Sequence, residues 1–137
     1  PNRPVGDGDY LAVSDFNNDG FVDFIARKNE NFPFVAYRNE FGKKFVPVPI
    51  LKSDGSPETN HSDNLNKGAV AFHDLDNDGD FDLVWTASLF FQVYENFGNE
   101  FRAVNSGIPA NIGNQIDGLA GGDVNNDGRI DLFLTDD

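Results

Sequence analysis

The sequence predicts an all-β chain built from four-stranded antiparallel meanders that stack as the blades of a β-propeller. Three observations carry that expectation. An acidic nonapeptide recurs at Asp15 to Asp23, Asp74 to Asp82 and Asp123 to Asp131, and self-similarity at a spacing of tens of residues marks a repeat architecture. Runs of strand length, rich in β-branched and aromatic side chains, flank every copy. Several runs, such as Ala69-Val70-Ala71-Phe72 and Phe81-Asp82-Leu83-Val84-Trp85, are apolar on consecutive residues. Strands of that kind need burial on both faces, which radial stacking of small sheets supplies.

In chain order, the first unit has runs at Tyr10 to Ser14, Phe21 to Arg27, Pro33 to Arg38 and Lys44 to Leu51. The second has Gly68 to His73, Phe81 to Ser88, Phe90 to Glu95 and Glu100 to Asn105, and the third has Gly118 to Gly122 and Ile130 to Thr135. These define blade units at about 10–51, 68–105 and 118–137 within a single segment, 1–137. A polar stretch at 52–67, rich in Ser, Asp, Gly, Pro and Asn, reads as an exposed loop. It absorbs the difference between repeat offsets of 59 (15 to 74) and 49 (74 to 123). It also holds Asn60-His61-Ser62, an acceptor triplet for glycosylation in a eukaryotic secreted protein. A second pattern recurs between the acidic segments: Tyr37-x-Asn39, Gly42, Phe45 and then Tyr94-x-Asn96, Gly98, Phe101. Propellers have about four to eight blades, so two and a half cannot close a ring. The end faces are expected to be covered by further blades, from a longer parent chain or from other copies.

Composition narrows the chemistry. The formal net charge of −13 disfavours nucleic acid, which selects Lys/Arg patches. It opposes compaction unless cations neutralise it locally. The absence of Cys removes disulfides, zinc–thiolate sites and thiol nucleophiles. No apolar stretch approaches the length of a membrane span, and the first residues, Pro1-Asn2-Arg3-Pro4, do not read as a leader peptide. Fourteen Phe and no Met point to a core of rigid aromatic plates.

Each nonapeptide follows Asp-x-[Asp/Asn]-x-Asp-Gly-x-x-Asp, which places side-chain oxygens at positions 1, 3, 5 and 9. Hard oxygen donors in that number suit Ca²⁺, which takes six to eight at about 2.3–2.6 Å. The Gly at position 6 permits the positive-φ turn. Position 7 varies between Phe21, Asp80 and Arg129, as expected if its backbone carbonyl serves as the ligand. The expected ligand sets are therefore Asp15, Asn17, Asp19, Phe21 and Asp23; Asp74, Asp76, Asp78, Asp80 and Asp82; and Asp123, Asn125, Asp127, Arg129 and Asp131. An EF-hand would need Glu at position 12 and flanking helices; Ala26, Trp85 and Leu134 stand there instead. A solvated turn is the plain alternative for one such segment, and three registered copies argue for metal. Mg²⁺ fits less well, because it prefers few protein ligands. Three Ca²⁺ ions would move the formal charge from −13 to −7.

These nonapeptides, each followed by an apolar pair or triplet such as Leu83-Val84-Trp85, resemble the FG-GAP/VCBS-type repeats. That resemblance implies a calcium-binding β-propeller like the heads of integrin α subunits and certain lectins. It also implies that Asp15, Asn17, Asp19, Asp23 and their counterparts are the ligands. The Gly-Ala-Pro part of the signature is absent, and Phe41-Gly42 and Phe97-Gly98 lie in a different hairpin, so the likeness is closer to the VCBS branch.

The expected function is a non-catalytic calcium-binding module, secreted or at the cell surface, serving adhesion or the binding of carbohydrate or protein. Trp85, Phe90 and Phe91 could stack on sugars, although core packing accounts for them better. A structural subunit of an extracellular filament or matrix, joined blade to blade, is the alternative. An enzyme finds little support: His61 and His73 have no nucleophile at a recognisable spacing. Paired carboxylates for glycoside hydrolysis stay open, with 23 acids in the chain. Loops with this many carboxylates in extracellular modules often bind calcium at about 10⁻⁴ to 10⁻³ M, which points to surroundings outside the cell.

Overall fold

The computed structural model describes residues 10–27, 34–58, 68–87, 90–108 and 116–136. Among them there is no helix, and eleven strands form three separate sheets. The first unit is a meander of β1 (Tyr10–Ser14), β2 (Asp23–Arg27), β3 (Val35–Glu40) and β4 (Lys44–Val48), each antiparallel to the next. After it comes β5 (Ile50–Leu51). The second unit is β6 (Gly68–His73), β7 (Asp82–Ala87), β8 (Phe90–Asn96) and β9 (Phe101–Val104), again a meander. The third is the hairpin of β10 (Ile116–Gly122) and β11 (Asp131–Asp136). The three first strands, β1, β6 and β10, pack side by side, as the inner strands of successive propeller blades do.

Several strand ends shift by one or two residues from the sequence expectation, and one run differs in kind. The run Lys44 to Leu51 is two strands, not one, because Pro49 cannot donate to a ladder. Its carbonyl accepts from Phe101 N at 2.9 Å. Beyond it Ile50 and Leu51 pair in parallel with Phe101 and Arg102. The end of the first unit thus becomes the outer, fifth strand of the second sheet. The chain then turns at Lys52–Ser56, pairs Leu51 with Pro57, and places Glu58 where it accepts from the Tyr94 hydroxyl at 3.2 Å. Burial and the neighbouring Glu58 carboxylate both push the Tyr94 phenol upward from its ordinary value. The rest of the polar loop, with Asn60 and His61, lies outside the described residues, as do residues 1–9.

The consecutive apolar residues of β7 are buried on both faces, as the pattern requires. Leu83 and Trp85 join the first core cluster with Phe16, Ile25, Phe34 and Ala36, whereas Val84 joins a second with Phe91 and Val93. The first cluster lies between units one and two, and the second receives Leu119 and Leu132 from unit three. Alternate positions on one strand therefore serve opposite neighbours. The same alternation leaves the outer faces bare: Leu11 and Val13 on β1 are 68% and 63% exposed, and Phe133 on β11 is also exposed. Trp85 and Phe91 are core residues, with Trp85 edge-on to Phe34 at 4.7 Å. The Phe90 side chain is outside what the structure describes.

Candidate metal centres

Each acidic segment joins the first two strands of its unit, in register: Ser14 pairs with Asp23, His73 with Asp82 and Gly122 with Asp131. The loops are folded by two left-handed residues. Gly20, Gly79 and Gly128 at position 6 have φ of 89°, 99° and 84°; Asn18, Asn77 and Asn126 at position 4 have 54°, 62° and 60°. Asn tolerates that region better than other side chains, which explains its presence at position 4 in all three copies.

The Asp at position 1 anchors the turn by accepting from the Gly amide: Gly20 N to Asp15 Oδ2 at 2.7 Å, Gly79 N to Asp74 Oδ2 at 3.1 Å and Gly128 N to Asp123 Oδ2 at 2.8 Å. The carboxylate at position 5 accepts from the amide of position 7, with 2.9 Å between Phe21 N and Asp19, Asp80 N and Asp78, and Arg129 N and Asp127. Position 7 thus joins the turn through its backbone N–H, whatever its side chain. Phe21 itself packs edge-on against Phe41 at 6.0 Å.

Position 3 separates the loops. Asn17 Nδ2 donates to Asp19 Oδ2, and Asn125 Nδ2 to Asp127 Oδ2, both at 3.0 Å. Asp76 cannot donate. In the second loop the carboxylates of Asp74, Asp76 and Asp78 instead converge, with oxygens within 4.8 Å of one another. Asp74 Oδ1 is buried there without a hydrogen-bond partner. Three like charges in one turn and an unsatisfied buried oxygen are costly in the absence of a cation, and the donor set is wholly hard oxygen. These residues fit calcium.

The Asp at position 9 sits beneath the loop. Asp23 and Asp82 are buried. Asp23 accepts from Phe16 N at 3.0 Å and Asn39 N at 2.7 Å; Asp82 accepts from Leu75 N at 3.1 Å and Asn96 N at 3.0 Å. Asp131 accepts from Val124 N at 3.2 Å. In the first two loops position 9 therefore clamps position 2 to the third strand of the blade, and each oxygen retains a lone pair for further use. Burial pushes the Asp82 carboxyl up to about 6, against the lowering effect of its two backbone donors and with help from the charges of Asp76 and Asp78. Burial likewise raises Asp23.

Two sets of residues act at these loops without having been assigned a role from the sequence. Asn39 and Asn96 fix the hairpins. Asn39 Oδ1 accepts from Gly42 N and Asn96 Oδ1 from Gly98 N, while their amides reach the carbonyls of Val22 and Phe81 at position 8. Their recurrence in Tyr-x-Asn was the available signal. Position 2 is the other: Phe16 is fully buried, within 5.1 Å of Phe101 and 5.6 Å of Phe72. Leu75 packs on the second cluster, and Val124 is 69% exposed. An apolar residue inside an otherwise polar loop was the visible mark. His73 packs over β10, where a Cβ on Gly121 would lie 2.5 Å from its Nε2, and burial lowers its pKa. It is an interblade packing residue.

A family model described as FG-GAP-like repeat matches residues 15–85 and again residues 74–134. No curated protein and no solved structure gives a significant match.

Proposed function

Because the chain is a member of the FG-GAP-like repeat family, matched over most of its length, we propose that it is a non-catalytic calcium-binding propeller module acting outside the cell in adhesion or in binding carbohydrate or protein. Repeats of this family occur in extracellular adhesion and binding modules and are generally non-enzymatic. Among the described residues, no helix is long and apolar enough to cross a membrane.

The convergence of Asp74, Asp76 and Asp78 around a buried, unpartnered oxygen carries the reading. At the second loop these three carboxylates hold the ion, with Asp82 below and the Asp80 carbonyl closing the set. At the first loop Asp15, Asn17, Asp19, Asp23 and the Phe21 carbonyl do so. At the third the set is Asp123, Asn125, Asp127, Asp131 and the Arg129 carbonyl. Bound calcium supplies the positive charge that lets the carboxylates stay together. The loops then hold the inner strands in fixed register, and the blade edges are presented rigidly to a partner. Isothermal titration of the metal-free protein tests this directly: three sites for calcium with weak competition from magnesium are expected, and no heat of binding at millimolar calcium would overturn it. A glycan and extracellular-protein array probed in calcium tests the binding role; absence of any calcium-dependent ligand would remove that part.

The exposed Leu11, Val13, Val124 and Phe133 favour a second reading, in which copies join blade to blade as a structural subunit. Light scattering in calcium separates the two, since a monodisperse monomer at high concentration excludes the assembly.

A further inference from the structure

The first and second acidic loops touch. The amide of Asn18, at position 4 of the first loop, donates to the carbonyl of Gly79, at position 6 of the second. The peptide that carries this carbonyl also carries the Asp80 N–H, which donates to Asp78 Oδ1 at 2.9 Å. A continuous hydrogen-bond path thus runs from the first loop to a carboxylate of the second. Below it the two loops share a rigid base: Phe81 N donates to the Phe16 carbonyl at 3.2 Å, and Asn96 Nδ2 bridges the carbonyls of Phe16 and Phe81 at 2.8 and 3.2 Å. Among the described residues no hydrogen bond joins the second loop to the third.

We propose that the first two loops bind calcium as a coupled pair, with Asn18 transmitting order from one to the other through the Gly79–Asp80 peptide, while the third loop stands outside the pair. The inference rests on the calcium reading above. Its physical basis is direct. Asn18 lies between Asn17 and Asp19, two expected ligands, and its amide reaches Gly79 from a left-handed backbone (φ 54°). That conformation is fixed when the first loop closes. Closure orients the Asn18 amide, the amide holds the Gly79–Asp80 peptide, and the peptide N–H holds Asp78 toward the ion. Hydrogen bonds in series polarise one another, and a coupling of this kind is reciprocal by linkage.

The test is a calcium titration of the full ¹⁵N-labelled chain, followed at the amides of Gly20, Gly79 and Gly128, one in each loop. Asp78→Asn weakens the second loop. The proposal expects the Gly20 midpoint to rise by about fivefold or more, the lower range of measured couplings, with the Gly128 midpoint unmoved. The reciprocal variant, Asp19→Asn, should shift the Gly79 midpoint by a similar factor. Asn18→Gly keeps the positive φ and deletes the amide; in that background Gly20 should no longer respond to Asp78→Asn. Asn77→Gly, the same change in the second loop, should leave the response intact. An unmoved Gly20 midpoint in Asp78→Asn, or a response that survives Asn18→Gly, overturns the coupling. A Gly128 shift as large as that of Gly20 would replace it with a general charge effect. If no glycine amide moves with calcium, the calcium reading itself fails and the coupling falls with it.

Discussion

The first and second acidic loops differ at one side-chain ligand position, Asn17 against Asp76, and meet the same electrostatic problem in different ways. In the first, Asn17 ties down Asp19 with its own amide, and the loop is partly satisfied by its own hydrogen bonds. In the second, Asp76 adds a charge where a donor would have been, and Asp74 is left with an unpartnered buried oxygen. Their foundations differ too. Phe16 under the first loop is sealed between two blades, whereas Leu75 under the second is only partly buried. The lesson is that a repeat motif is a set of ligand positions laid over a local packing site, and the two can be tuned separately. The first loop leans on its core contact, whereas the second carries the extra charge and the unpartnered oxygen that the proposed ion would satisfy.

That contrast can be broken at several points. Phe16→Ala should have the largest effect, about 3–5 kcal/mol by urea unfolding in calcium, because it empties a fully enclosed aromatic site. Leu75→Ala should lose less, about 2 kcal/mol, and Val124→Ala at the exposed equivalent less than about 0.5 kcal/mol. Equal losses at the three positions would erase the distinction between foundations. Next comes metal removal. A site saturated 100-fold contributes about 2.7 kcal/mol, so chelation should lower the melting temperature by many degrees; an unchanged melting temperature would remove calcium from the account.

A smaller effect is expected from Asp76→Asn, which gives the second loop the chemistry of the first. The metal-free protein should gain about 1 kcal/mol, since one repulsive charge is replaced by a donor. Calcium affinity at that loop should drop severalfold in the same variant. Stabilisation without loss of affinity would show that the charge serves something other than the ion.

The pH dependence is expected to be comparable to that of Asp76→Asn, and its sign is specific. Asp82 has its folded-state carboxyl pushed up to about 6, above the ordinary unfolded value of about 3.9. The metal-free fold then binds more protons than the unfolded chain between those values. The contribution of Asp82 to stability is fully present below about 4 and is lost as pH rises through 6, so from pH 7 to pH 5 this group should raise the metal-free melting temperature. Calcium-loaded protein should move the other way, because protons compete with the ion for the same carboxylates. Parallel melting curves with and without calcium at pH 5, 6 and 7 would show whether the two slopes have opposite signs.

Much of this was legible in the residues. The three nonapeptides located the loops and placed them between the first and second strands. Consecutive apolar residues in β7 announced that both faces are covered, because a strand with period two can be continuous only when it has neighbours on each side. The break at Pro49 and the parallel pairing of β5 were not foreseen. Strand-length runs report propensity, but a single Pro decides which ladder a strand can join, and the partner at Phe101 lies some fifty residues away. The position-9 carboxylates were expected to close around an ion. Their two backbone donors came into view only with the fold, because Asn39 and Asn96 are brought to them by β3 and β8. Ligand type is encoded locally; the support that orients each ligand is assembled across strands.

The short β5 strand sets a limit on how this chain can be divided. Ile50 and Leu51 follow the first blade in sequence but complete the sheet of the second. A fragment opened at residue 68 would carry every acidic residue of the second loop and still expose the edge of β9. The unit of excision, grafting or circular permutation is therefore offset from the unit of sequence repetition. A cassette made from the second blade should begin before Pro49, taking the tail of its predecessor with it.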